Sequence, residues 1–166
     1  SKIIFTGFFL RNNIFDIHQK RSINSNNDLS ILIMGGSQSA KIFGDQIPEI
    51  IRKCYTNGIK FNVYQQCLDY QKSNIKNIYK KLNINFELFT FTDELVKFYQ
   101  KCDIAITRCG ASSLAELINL NIPSIAIPLP SSMDNHQFKN VKYYHEQGYC
   151  FFLEQKYLSE KLFDML

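Results

Sequence analysis

The stretch Asp103-Ile-Ala-Ile-Thr-Arg-Cys-Gly-Ala-Ser-Ser-Leu-Ala-Glu-Leu-Ile118 gathers residue types that could hold an anion and a polyol side by side. Its pattern predicts a buried strand, a turn at Gly110 and a helix opening at Ser112 or Ser113. The first N–H groups of a helix lack intrahelical acceptors and carry partial positive charge, so they attract phosphate-like anions. Gly110 lets a ligand approach the main chain. Arg108 falls at the carboxyl end of the strand, the edge where open α/β sheets bind ligands. Glu116, one turn into the helix, can accept hydrogen bonds from sugar hydroxyls. The same spacing has a purely structural reading. Ser113-x-x-Glu116 is also a capping box, in which both side chains serve the helix's own N–H groups. Taken alone, the stretch supports both.

Two further motifs carry weaker signals. Gly35-Gly36-Ser37 follows an apolar run and could approach a diphosphate through its backbone, although Gly-Gly after a strand is often a plain turn. It matches neither G-x-G-x-x-G nor a P-loop, because no Gly-Lys-Ser/Thr follows. Asp134-Asn135-His136-Gln137 offers polar side chains at a helix start, with Asp134 as a simple N-cap in the structural reading. Cys109 touches the proposed site but reads as a small packing residue, since free cysteine is commonly buried.

The elements that must position these residues alternate regularly. Leu29–Met34 is a continuous apolar run, as expected for a strand covered on both faces. Further strands are predicted at 59–65, 84–91, 103–107, 123–129 and 149–153. Between them the pattern predicts a helix to about residue 57, disturbed in its middle by Pro48. Another covers 69–82, capped by Asp69, and a short one runs from Thr92 or Asp93 to Lys101. The organising helix follows Gly110, with others at 135–147 and 157–166. Six βα units in succession predict an α/β fold, a Rossmann-like parallel six-stranded sheet with helices on both faces. Residues 1–28 read as a leading segment and 29–166 as the domain. The strands' carboxyl ends then share one rim. Gly35-Gly36-Ser37, Phe91-Thr92-Asp93, Arg108-Cys109-Gly110 and Pro128-Leu129-Pro130 all fall on it.

Composition narrows the function classes. A chain of 166 residues, 45% apolar and 20% charged, suits one soluble domain with a real core, and no apolar run reaches a membrane-spanning length. The net charge of +4 is spread out, with its densest lysines at 72, 76, 80 and 81 reading as a solvated helix face. That argues against nucleic acid as a partner and leaves a modest attraction to anionic substrates or an anionic membrane surface. Five cysteines show no C-x-x-C pair, and the odd count predicts reduced thiols in a cytosolic compartment. Three scattered histidines suggest no metal cluster.

Read together, Ile33-Met-Gly-Gly-Ser-Gln-Ser-Ala40, Arg108-Cys-Gly-Ala-Ser-Ser-Leu-Ala-Glu116, Ile127-Pro-Leu-Pro130 and Asp134-Asn-His-Gln-Phe-Lys-Asn140 make a specific signature. In that order and at those separations they resemble the C-terminal half of the MurG family, over about residues 1–155. That family transfers N-acetylglucosamine (GlcNAc) from UDP-GlcNAc to a lipid-linked muramoyl-peptide, converting lipid I to lipid II. The resemblance implies the donor-binding half of a two-domain glycosyltransferase B fold. Ser37 and the Gly35-Gly36 turn would then meet the uridine–diphosphate part and Thr92 the uracil, through its backbone. Arg108 falls at a family position. Gly110, Ala111, Ser112 and Ser113 would cradle the diphosphate, Glu116 the ribose hydroxyls, and His136 and Gln137 the GlcNAc hydroxyls. No metal or cofactor is implied.

The acceptor lipid I, the general base and a peripheral contact with the cytoplasmic face of the inner membrane would belong to an N-terminal half that these residues do not supply. Residues 1–28 would be the interdomain linker. The sequence departs from the family pattern in three places. Gly7-Phe-Phe-Leu-Arg11 stands where Gly-Asn-Pro-x-Arg is usual, which leaves the placement of Arg11 against the diphosphate open. Ser39 replaces a glycine, and Tyr64-Gln-Gln-Cys67 replaces His-Gln-x-Gly, where the resemblance therefore implies no role. The alternatives are one subunit of a split UDP-sugar glycosyltransferase, a nucleotide-sugar binding module without catalysis, and a UDP-sugar epimerase.

Overall fold

Alternate residues of the first strand feed opposite layers. In β1 (Leu29–Met34), Ile31 and Ile33 pack into one apolar cluster and Leu32 and Met34 into another. Side chains alternate across a strand, so the apolar run from Ile31 to Met34 suits a strand covered on both sides. The computed structural model describes residues 10, 14, 28–36 and 40–166. Arg11, Ser37, Ser39 and most of the leading segment lie outside these.

Five further strands follow: β2 (Phe61–Gln66), β3 (Phe86–Phe89), β4 (Ile104–Thr107), β5 (Ser124–Ala126) and β6 (Phe151–Phe152). All pairings are parallel, in the order β3-β2-β1-β4-β5-β6. The six-stranded Rossmann-like sheet expected from the alternation is therefore present. Strands β3, β5 and β6 are shorter than the predicted 84–91, 123–129 and 149–153.

Helices α1 (Ala40–Thr56) and α2 (Asp69–Lys81) cover the face of Ile31 and Ile33, together with the last helix, α6 (Leu158–Met165). The short α3 (Leu95–Tyr99) and α4 (Ala111–Asn119) cover the other face through Phe98, Tyr99, Leu117 and Leu120. Helix α5 (His136–Glu146) closes the β5–β6 end over Leu114, Ala126 and Val141. Lys76, Lys80 and Lys81 lie exposed on α2, the solvated face that the sequence suggests.

Several local expectations change. Pro48 does not interrupt α1, which stays helical for 17 residues. Burial of Phe43, Ile47, Ile50 and Ile51 on the sheet outweighs the roughly 3 kcal/mol a helix-interior proline costs. Asp69 is the first residue of α2, not its cap. Leu68 is the cap, and its N–H donates to Gln71 Oε1 at 3.0 Å. Gln71 Nε2 in turn donates to Lys41 O (2.8 Å) and Asp45 Oδ1 (2.6 Å), tying α2 to α1. This join needs Gly44, because a methyl group there would run into the Gln71 carboxamide. Among the described residues, no helix is long and apolar enough to cross a membrane.

Candidate functional site

The strand order places a crevice by geometry. From β1 the chain proceeds outward through β2 and β3, and from β4 outward through β5 and β6. The connections after β1 and β4 therefore leave to opposite faces, and a gap opens between them at the strands' carboxyl ends. A cleft of about 570 Å³ occupies that place, a size suited to a small-molecule ligand. Gly35 and Gly36 line it from the β1 loop, Gln66 from the end of β2, and Thr90, Phe91 and Thr92 from the β3 loop. Arg108, Gly110 and Ser113 come from the β4–α4 junction, and Leu129 and Gln137 from the β5 side. One cation and no carboxylate stand among the described lining residues, so an anion entering here meets no like charge.

The junction after β4 is where structure decides between the two sequence readings. Helix α4 opens at Ala111, with Gly110 as N-cap and no side-chain capping bond. Ser113 is therefore the third helical residue, and the Ser113–Glu116 capping box does not form. Gly110 has φ −65° and ψ 139°, which any residue can adopt. An added Cβ there would meet only Ser113 Oγ, at 3.9 Å. Neither backbone nor neighbours demand a glycine, so what its missing side chain provides is space on the cleft side. Ala111 and Ser112 are exposed at the helix start, with their N–H groups ahead of the first intrahelical bond, from Leu114 to Gly110 O.

Glu116 lies one turn deeper on the same helix face as Ser113. It is buried, at 4% exposure, and accepts a hydrogen bond from Tyr99 Oη at 2.9 Å. It is not among the cleft-lining residues. A buried carboxylate held by a tyrosine of a different helix is a fixed acceptor rather than a solvated surface acid.

Arg108 does not extend freely into the cleft. Its Nη1 donates to Ile127 O (3.3 Å) and Pro128 O (3.2 Å), and Nη2 donates to Gln155 Oε1 (2.7 Å). Its guanidinium lies 4.4 Å from the centre of the Phe43 ring. Burial, with no carboxylate pairing it among the described residues, pulls its pKa down to about 10. Nε is buried without a partner. The side chain thus organises the β5 loop and places an uncompensated positive charge beside the cleft.

Gln137 performs a similar join. Its Oε1 accepts from Cys109 N–H (3.2 Å) and Leu129 N–H (3.0 Å), and Asn140 Nδ2 donates to Cys109 O (3.1 Å). With the oxygen engaged twice, the Gln137 amide presents its NH₂ group as the remaining contact. Just before it, Asp134 and Asn135 have φ of 49° and 53°. Asp134 is thus not the N-cap. That position falls to Asn135, whose residue type tolerates the left-handed region. His136 is exposed, with Nδ1 2.8 Å from Met133 O. A carbonyl only accepts, so Nδ1 carries the proton and Nε2 faces outward as an acceptor in the neutral ring. Cys109 is fully buried, and burial raises its thiol pKa strongly, which suits packing and not nucleophilic chemistry.

Three contributors were not legible as site residues. Gln66 spans two rim loops, Tyr99 holds Glu116 and Gln155 holds Arg108. Each partner lies far away along the chain, by 30, 17 and 47 residues respectively. Only a polar residue ending a strand, as Gln66 does, gives a hint in the sequence.

The description "Glycosyltransferase family 28 C-terminal domain" matches residues 30–166. A protein of Pelagibacter ubique is 44% identical over 153 residues, covering 92% of this chain and 42% of its own length. One of Rickettsia bellii is 37% identical over 175 residues, covering 100% of this chain and 49% of its own. Both are named UDP-N-acetylglucosamine--N-acetylmuramyl-(pentapeptide) pyrophosphoryl-undecaprenol N-acetylglucosamine transferase. Among solved structures, Acinetobacter baumannii MurG superposes with a TM-score of 0.75 at 24% identity, over 87% of this chain and 43% of that one, a likeness of fold. The chain spans about half the length of the curated relatives it matches.

Proposed function

This chain belongs to the glycosyltransferase family 28 C-terminal domain family, and from that premise we propose that it is the donor-binding half of an N-acetylglucosaminyltransferase. The donor is UDP-GlcNAc and the acceptor a polyprenyl-diphosphate-linked muramoyl-peptide, as in the names of its relatives. The domain proper is residues 29–166, and residues 1–28 link it to an acceptor-binding half. That half contributes the general base and the peripheral contact with the inner membrane's cytoplasmic face.

The observation that carries this reading is the start of α4. An uncapped helix N-terminus opens at the switch point, behind a glycine whose conformation requires none. The amides of Ala111, Ser112 and Ser113 receive the diphosphate, in the cleft that Gly110 keeps open. Arg108 adds a buried positive charge from below. Thr92 meets the uracil through its main chain. Glu116 takes the ribose hydroxyls, and His136 Nε2 and the Gln137 NH₂ group take the sugar hydroxyls. Ser37 and Arg11 complete the diphosphate shell by family resemblance.

In the reaction an acceptor hydroxyl attacks the anomeric carbon of GlcNAc. The bond from that carbon to the diphosphate oxygen breaks, and UDP leaves with the electron pair. The proton passes to the base in the other half. This chain's share is to bind the donor and stabilise the charge growing on UDP, which preorganised amides and a desolvated cation do well.

The strand order is shared with dinucleotide-binding folds, so the discriminating test is ligand choice. Titration calorimetry and thermal shift with UDP-GlcNAc, UDP-glucose, UDP-GalNAc and NADH should show stabilisation by UDP sugars. Stabilisation by NADH, with none by the UDP sugars, refutes the assignment.

A further inference from the structure

The base end of the cleft is built by three loops, and one side chain joins the outer two across the third. Gln66 closes β2, whose neighbours in the sheet are β1 and β3. Its Oε1 accepts the Gly36 N–H at 2.9 Å, and its Nε2 donates to Thr90 O at 2.9 Å. Both ends of the carboxamide are therefore engaged, and they fix the separation of the β1 and β3 loops. Gly36 has φ +68°, a conformation that favours glycine, and an added Cβ there would meet nothing within 4 Å.

The β3 loop is pinned to the same strand end by other bonds. Cys67 N–H donates to Phe89 O at 2.9 Å, and Thr90 Oγ1 donates to Asp69 Oδ1 at 2.8 Å. Farther along, Thr92 Oγ1 accepts from Glu94 N–H at 3.0 Å. The two Gln66 bonds take Thr90 O and Gly36 N–H out of play for a ligand. The main-chain N–H and C=O groups of Phe91 and Thr92 enter no such bond among the described residues, and both residues line the cleft.

We infer that Gln66 is a positioning residue for nucleobase selection, holding the Phe91–Thr92 main-chain edge in the register that fits uracil. The inference rests on the donor-site reading above. Its logic is one of hydrogen-bond polarity. Uracil presents an N3–H donor flanked by carbonyl acceptors, whereas cytosine presents an N3 acceptor beside an amino donor. A main-chain edge offers N–H and C=O in a set sequence, so it matches one pattern and opposes the other only while it is held in place. The Gln66 clamp is what holds it relative to the turn of Gly36, on the diphosphate side.

Calorimetry of the intact chain with UDP and CDP tests this, alongside Gln66→Ala and Gln66→Glu. The unaltered chain should prefer UDP. Gln66→Ala should lose about tenfold in UDP affinity, one hydrogen bond's worth, with little change for CDP, so that the preference shrinks. Gln66→Glu keeps the acceptor for Gly36 but, when ionised, cannot donate to Thr90 O. Its preference for UDP over CDP, taken relative to the unaltered chain at each pH, should recover as pH falls and the carboxyl regains its proton. Such recovery keeps the outcome readable if the alanine variant folds poorly. Equal loss for UDP and CDP, or no recovery in Gln66→Glu at low pH, overturns the role of Gln66 and leaves the donor site standing. Absence of UDP binding by the unaltered chain removes the donor site itself, and the role of Gln66 with it.

Discussion

Glu116 is the residue whose substitution most directly tests the site, and glutamine is the replacement that isolates its charge. Alanine would remove the acceptor from the buried Tyr99 hydroxyl, at a stability cost of about 1–3 kcal/mol that obscures any effect on binding. Glu116→Gln keeps an oxygen for the 2.9 Å bond from Tyr99 Oη and occupies the same volume, so stability should fall by less than about 1 kcal/mol. What disappears is the charge on a 4% exposed carboxylate. A hydrogen bond to a charged group contributes about 1.5–3 kcal/mol and a neutral one about 0.5–1.5. The difference, about 1–1.5 kcal/mol, corresponds to a roughly 5- to 13-fold weaker UDP affinity. The assay is calorimetry of both proteins with UDP and with its 2′,3′-dideoxy analogue, read as a double-mutant cycle. If Glu116 receives the ribose hydroxyls, removing them should cost the Glu116→Gln variant much less than the unaltered protein, with a coupling of about 1 kcal/mol or more. Additive losses, within about 0.5 kcal/mol, would mean that Glu116 serves the protein's own contacts, Tyr99 among them, and would refute its placement against the ribose.

Gly110→Ala should leave the thermal midpoint nearly unchanged, since φ is −65° and the nearest atom is 3.9 Å away, while UDP binding weakens at least tenfold. Equal binding would show that the ligand does not approach there. Gly44→Ala should destabilise by about 1–3 kcal/mol in urea melts, because the new methyl displaces Gln71 and its bonds between α1 and α2. For Arg108→Met two effects compete. Three bonds from a charged donor, about 1.5 kcal/mol each, are lost. About 3 kcal/mol of charge desolvation is recovered, as read from a pKa depressed from the ordinary guanidinium range to about 10. That depressed value makes the charged form a cost at neutral pH, which fades only as pH rises past about 10 toward the ordinary guanidinium range. The net destabilisation in urea melts should therefore be only about 1–2 kcal/mol, with a clear loss of UDP affinity. Burial raises the Cys109 thiol above its ordinary value of 9.0, so its contribution to stability is complete below pH 9 and is lost as pH rises beyond. Stability in urea melts should fall between pH 9 and 10, and Cys109→Ala should flatten that fall by about 1 kcal/mol. Identical slopes would contradict a buried, protonated thiol.

Much of the fold was legible because the signals are local and periodic. The apolar run from Ile31 to Met34 in β1, the alternation of strands and helices, and the glycines at Gly35-Gly36 and Gly110 each follow from rules acting within a few residues. Boundaries were less so. Asp69, Asp134 and Ser113 are good N-cap types, yet none caps its helix: Asp69 pairs with Lys72 and Thr90, Asp134 lies in the left-handed region, and α4 opens two residues before Ser113. Pro48 breaks an isolated helix but not α1, whose apolar face is held by burial against the sheet.

The sequence by itself determined the order of the βα units, the rim on which their loops gather, and the presence at one junction of amides, a cation, a carboxylate and a glycine. It did so because strand and helix periodicity, glycine freedom and parallel-sheet handedness depend on residue type and short separations. Only the tertiary structure decided which polar groups satisfy one another. It joined Gln66 to Gly36 and Thr90, Tyr99 to Glu116, and Arg108 to Gln155, across separations that no local rule spans. Which buried donor finds which acceptor is a global packing question, and it is answered only when all six strands are side by side.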